Sequence, residues 1–215
     1  MKLKKVLKTL ALIGLMSSAG MTAPAQAADD ACLAELKTLM KTFDSQIPNS
    51  RVRTTLERDG KILQEQSGAY LDAKNFINES LRHNYWTMVR GNDEYRSRDG
   101  KVWQKFKTRT EGWSEKASAY GAKIITEISN GKCGMTEELD GKSYKVYTYT
   151  HIATDPAPIH TENKIYIEPK SGWRYRWIST LTDSKPHTIL TNVFTKDNNI
   201  TLPDPEKRPE QKPAN

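Results

Sequence analysis

The chain has 215 residues, 36% of them hydrophobic and 27% charged, with a formal net charge of +7 and only two cysteines. That length suits one domain with a sizeable core. No Lys/Arg cluster marks a nucleic-acid site, so nucleic acid is excluded as a partner.

The first 27 residues, MKLKKVLKTLALIGLMSSAGMTAPAQA, carry four lysines, an apolar run centred on LALIGLM and a small-x-small site at Ala25-Gln26-Ala27. This is the pattern of a secretory signal peptide cleaved after Ala27, with too short an apolar run for a stable membrane span. Cleavage would leave 188 residues carrying 29 basic and 26 acidic side chains, a net charge near +3. The pattern predicts a periplasmic location in a Gram-negative envelope. Cys32 follows Asp29-Asp30-Ala31, which is not a lipid-anchor context. No later stretch is long and apolar enough to span a bilayer.

DDACLAELKTLMKTFDSQIP opens with Asp30, a good N-cap. Leu33, Leu36, Met40, Phe43 and Ile47 predict an amphipathic helix over 31–47, stopped by Pro48. RVRTTLERDGKILQEQSGAYL then reads as a hairpin about Asp59-Gly60. NYWTMVRGNDEYRSRDGKVWQKF supplies three more strands, turned at Gly91-Asn92 and Asp99-Gly100. EGWSEKASAYGAKIITEISNGKCG predicts a second helix with Trp113, Ala117, Tyr120, Ile124 and Ile128 on one stripe and Gly131 as its terminator. SYKVYTYTHIAT, NKIYIEP, WRYRWIST and HTILTNVF complete a total of about nine strands. A proline-rich tail is expected over 204–215.

Cys32 and Cys133 suit a structural disulfide in an oxidising compartment. The loop it closes is worth roughly 4–5 kcal/mol in the chain-entropy model; two free thiols are the other reading. Alternation puts Tyr85, Thr87 and Val89 opposite Trp86, Met88 and Arg90, and Trp173, Tyr175 and Trp177 opposite Arg174, Arg176 and Ile178. Neither face is simply polar. The expected fold is α+β: one strongly curved antiparallel sheet, an unclosed half-barrel, with helices on its concave face. Bulk between sheet and helices either lines an apolar cavity or forms a solid core.

No catalytic residue stands out. His83, His151, His160 and His187 lack metal-ligand spacing, and neither a phosphate loop nor a nucleophile elbow is present. The sequence therefore calls for no enzyme, metal or cofactor.

The early helix with RVRTTLERDG, the block YWTMVRGNDEYRSRDGKVWQKF, the internal helix, KIYIEPKSGWRYRWIST and the ending TNVFTKDNNITLPDP together resemble the LolA/LolB-like lipoprotein-carrier superfamily of the periplasm. The likeness spans nearly the whole chain after the leader, as a domain over 28–203, and rests on element order and short turns. It implies an unclosed half-barrel holding lipid or the acyl chains of lipoproteins. The implied cavity candidates are Leu36, Met40, Phe43, Tyr85, Val89, Trp103, Tyr147, Ile165, Trp177 and Ile189. Arg51 or Arg53 occupies the strand position where the family's lid-latching arginine would fall. A disulfide between Cys32 and Cys133 would restrain such a lid. The expected partners are a lipid or acylated protein, with transient membrane contact, acting on a monomer. The alternative is a module that recognises an envelope protein or senses envelope stress without bound lipid.

Overall fold

The computed structural model describes residues 23–153 and 158–206. The expected leader lies outside these bounds as far as residue 22, as does the tail from 207. Helix α1 (Ala23–Lys41) is followed by a 3-10 turn (Asp44–Gln46) and six strands: β1 (Ser50–Arg58), β2 (Lys61–Tyr70), β3 (Asn75–Ser80), β4 (Tyr85–Arg90), β5 (Asp93–Ser97) and β6 (Gln104–Thr108). Helix α2 (Trp113–Glu127) leads to β7 (Ser129–Leu139), β8 (Lys142–Ala153), β9 (Ile159–Ile167), β10 (Arg174–Leu181) and β11 (Thr188–Lys196). α1 begins ahead of the expected cleavage point, which would leave its Ala28–Lys41 portion.

All eleven strands belong to one antiparallel, unclosed sheet ordered β6-β5-β4-β3-β2-β1-β11-β10-β9-β8-β7. Two meanders therefore meet at the β1/β11 pair, which stays in register from Ser50↔Lys196 to Arg58↔Thr188. The hairpin turns follow from local chemistry. Asp59-Gly60 and Asp140-Gly141 both take positive φ at the two central residues, the backbone that matches a hairpin to strand twist. Because β6 and β7 are opposite edges, α2 has to travel from one edge of the sheet to the other.

Two strands were not anticipated. β3 is the polar stretch NFINES, and β7 begins at Ser129-Asn130-Gly131, where the second helix was expected to end. Ile128 has already left the helix, with φ −69° and ψ 144°, and is buried at the start of the edge strand. Gly131 permits a close approach rather than a helix stop: a Cβ there would lie 3.1 Å from the Leu33 backbone, so α1 rests directly on β7.

The main core lies between α1 and the sheet. Leu36, Met40 and Phe43 pack on Ile128, Tyr147, Tyr149, Ile165 and Ile167, with Trp177 against the same cluster. The Tyr147 hydroxyl donates to Glu35 Oε1 at 2.6 Å, and burial together with that carboxylate pushes its pKa up to about 12. Cys32 and Cys133 are joined, with Cα atoms 5.7 Å apart, and so pin α1 to β7.

A second cluster occupies the outer face: Tyr144, Val146 and Tyr166. Tyr175 stacks on Tyr144 at 4.7 Å, Tyr166 meets Tyr144 edge-on at 6.2 Å, and the Lys164–Glu137 pair lies beside Tyr166. Bulk on both faces thus has two destinations: inward under the helix, and outward into an aromatic patch flanked by ion pairs.

Two outcomes follow. Leu36→Ala, at a fully buried position facing the sheet, should cost about 2–5 kcal/mol in urea unfolding. Cys32→Ser with Cys133→Ser should cost about 2–5 kcal/mol. An unchanged midpoint in the double variant would mean that the native protein does not depend on this cross-link.

Candidate ligand-binding site

Strand register places the inner-face residues in rows. Tyr147, Ile165, Trp177, Asn192, Thr54 and Gln66 follow one another across β8, β9, β10, β11, β1 and β2. Under α1 this face is solid. Beside α1 it opens into a groove of about 290 Å³. Ile47 and Ser50 form its helix end, Val52 and Thr54 come from β1, Tyr70 from β2, Arg174 and Trp177 from β10, and Asn192 and Phe194 from β11.

Most polar groups here are already engaged. Thr54 Oγ1 donates to Asn192 Oδ1 at 2.7 Å, the Tyr70 hydroxyl to Asn78 Oδ1 at 3.1 Å, and Trp177 Nε1 to Asn163 Oδ1 at 3.2 Å. Burial raises the Tyr70 pKa, so its phenol is neutral at ordinary pH. The lining is therefore largely apolar and aromatic, with its hydroxyls and indole N–H already bonded within the protein.

Arg174 is the exception. The pairing of β10 with β9 shifts between Arg174 and Arg176, so two steps along β10 match one along β9. That bulge turns Arg174 to the Trp177 side, against the alternation read from sequence. Its guanidinium carbon lies 3.8 Å from the Phe194 ring centre, 4.5 Å from Phe43 and 5.6 Å from Trp177. Only 8% of the residue is exposed. Desolvation pulls its pKa down to about 10, while Asp44 and Tyr149 act in the opposite direction. It remains a cation at neutral pH. The Gln46 side chain clamps the adjoining backbone, accepting from Arg174 N–H at 2.9 Å and donating to Gly172 O at 3.0 Å.

The residues predicted from sequence fall in several places. Leu36, Met40, Phe43, Tyr147 and Ile165 share the packed cluster, with Trp177 between it and the groove. Val89 is fully buried on the inner face of β4, opposite Phe76, which stacks on Tyr70 at 5.2 Å. Tyr85 lies on the same face of β4, with Arg96 5.8 Å from its ring centre. Trp103 is buried just ahead of β6 and outside the α1 cluster. Ile189 faces the other way: it pairs with Thr180 and Glu57 on the outer face. Arg51 and Arg53 also point outward, bonded to Asp197 and Glu65 rather than to helix backbone. Both are on the face opposite Val52 and Thr54, so neither is placed to latch a helix. Val52, Tyr70, Arg174, Asn192 and Phe194 were missed, since only the pairing of distant strands brings them together.

The histidines have separate neighbours. His151 Nε2 is 3.5 Å from Glu127, His160 Nδ1 is 2.6 Å from Asp183, and His187 Nδ1 is 3.2 Å from Leu181 O. Among the described residues no three His, Cys, Asp or Glu side chains are placed to hold a metal, and no helix is long and apolar enough to cross a membrane.

No protein-family model and no curated protein matches the chain. Solved structures match in fold. The lipoprotein LppX of Mycobacterium tuberculosis aligns over 82% of this chain and 100% of its own, at 16% identity and a TM-score of 0.53. LprF from Mycobacterium bovis aligns over 80% and 97%, at 12% identity and a TM-score of 0.52. A LolA superfamily protein from Nitrosomonas europaea aligns over 81% and 95%, at 8% identity and a TM-score of 0.32. At such identities the likeness is one of fold. This chain shares its fold with LppX and LprF: an unclosed, curved antiparallel sheet carrying helices on its concave face.

Proposed function

We propose that the protein is an exported, non-enzymatic monomer that binds lipid or the acyl chains of lipoproteins on the inner face of its half-barrel. The observation that carries this reading is the aromatic groove beside α1, whose lining hydroxyls already donate hydrogen bonds within the protein. Such a wall gains from any apolar chain laid on it, about 0.8 kcal/mol for each methylene removed from water. The leader read in the first 27 residues supports a periplasmic setting, where acylated proteins and lipids are the apolar cargo at hand.

The rival reading needs an exposed aromatic surface around Trp173–Trp177. Trp173 is instead buried, its Nε1 donating to Phe194 O at 3.3 Å, and Tyr175 is stacked on Tyr144. That observation favours the groove.

Loading a longer chain requires the groove to widen, since about 290 Å³ falls just short of small-ligand sites, roughly 300–1,000 Å³. α1 is held by the disulfide and the largest cluster. α2 contains no fully buried residue, and Tyr120, expected on its packed stripe, is 53% exposed. Its ties are Lys37 Nζ to Thr126 O and Trp113 Nε1 to Asn92 Oδ1, each at 3.2 Å, and Arg109 over the Trp113 ring. The partly buried Ile125 at the margin of the α1 cluster, the exposed Lys74–Glu115 pair and the His151–Glu127 contact add to them. α2 is therefore the element proposed to move.

Two measurements check this. The purified protein should bind dodecyl amphiphiles below their micelle concentration, and Val52→Trp, which fills the groove, should weaken binding tenfold or more. Equal binding by the folded variant would move the site elsewhere. In hydrogen exchange, α2 amides should open well before those of α1; equal protection of the two helices would remove α2 as the lid.

A further inference from the structure

Arg174 is buried and has no acid of its own, whereas the acid-free Arg58 and Arg82 are exposed and bond carbonyl and hydroxyl oxygens. Arg51 has Asp197, Arg53 has Glu65, Arg109 has Glu94 and Arg176 has Asp140. Among the described residues no carboxylate forms an ion pair with Arg174, and none of its side-chain donors makes a hydrogen bond. Nε is buried outright without a partner. Three aromatic rings have their centres within 5.6 Å of the carbon of the guanidinium plane and stabilise its charge. They do nothing for the N–H groups, which lie in that plane and form a fork suited to two oxygens. A buried cation left in this state is costly, and an anion arriving in the plane of the fork relieves the cost.

We infer that Arg174 is the seat for an acidic headgroup, a carboxylate or phosphate carried at the end of an alkyl chain that lies in the groove. The inference rests on the proposed lipid-binding role and narrows it to anionic amphiphiles. Geometry supports the pairing of charge with chain. The arginine lines the same hollow as Val52 and Phe194, so an oxygen on the fork leaves the rest of the molecule against apolar walls. The groove lining contains no carboxylate to repel it. The nearest acid acting on Arg174 is Asp44, on an exposed turn outside that lining.

The test uses the purified protein and five probes: dodecanoate, dodecyl phosphate, dodecanol, acetate and inorganic phosphate, titrated by calorimetry below micelle concentrations. Dodecanoate or dodecyl phosphate should bind tenfold or more tightly than dodecanol, with acetate and inorganic phosphate far weaker. Arg174→Met should bring the acids down to the alcohol's affinity while leaving the alcohol unchanged. Arg174→Lys, which keeps charge and length but not the fork, should lose part of the preference. Equal binding of acid and alcohol by the wild-type protein would overturn the headgroup seat while leaving the groove intact. A preference retained in both variants would overturn it too, and so would acetate or phosphate binding as tightly as its dodecyl counterpart. Failure of all three dodecyl compounds to bind would instead remove the lipid-binding role itself.

Discussion

The packing of Leu36, Met40 and Phe43 against the row Tyr147–Ile165–Trp177 is the contact on which the rest of the structure depends. The sheet is unclosed, with edges at β6 and β7, so it cannot bury its concave face by wrapping onto itself. A helix has to do it. α1 is short for the area, and it covers the β7–β9 side while leaving the β1–β2 side beside it hollow. The disulfide fixes this choice. It joins α1 to the edge strand at the position where Gly131 lets the backbones come together. Solid core and open groove are therefore two consequences of one placement.

The crossover sets the second condition. Joining β6 to β7 means crossing from one edge of the curved eleven-stranded sheet to the other, and α2 makes that crossing without a fully buried residue. Its ties are an exposed ion pair, two hydrogen bonds, a histidine contact and the partly buried Ile125 at the margin of the α1 cluster, less than the fully buried contacts that hold α1. One helix anchors and the other spans. The sheet's topology produces that division of labour, because α1 precedes the first strand and is free to settle where packing is best.

Much of this was legible in the sequence. Apolar spacing identified the face of α1, and Asp59-Gly60 located a hairpin that takes the left-handed backbone such a turn needs. β3 escaped because NFINES alternates weakly and owes its place to pairing with β2 and β4 on both sides. β7 escaped for a related reason: its glycines and polar residues read as a helix end, and only contact with α1 and β8 makes it a strand. Ile189 is among the cavity candidates that the resemblance implies, whereas register in β11 puts it on the face away from Phe194. Long-range pairing decides faces, and a single sequence carries no direct trace of it.

Arg174 shows how far a local irregularity can change the meaning of a site. Read by strict alternation it joins Arg176 on the outer face, where an arginine finds water and Asp140 and needs no explanation. The bulge at Tyr175 reverses that: Arg176 stays outside, Tyr175 joins it there stacked on Tyr144, and Arg174 enters a box of three aromatic rings. The position also lies on the boundary between the two parts of the inner face, since Phe43 belongs to the solid cluster and Phe194 to the groove wall. A ligand oxygen engaging the fork would thus act on the ring that seats the end of α1 as well as on the groove. An apolar residue of similar size would close the same boundary without stranding a charge, and replacing buried charges in this way is often neutral or stabilising. Packing alone does not account for an arginine there, whereas charge recognition at the mouth of an apolar groove does.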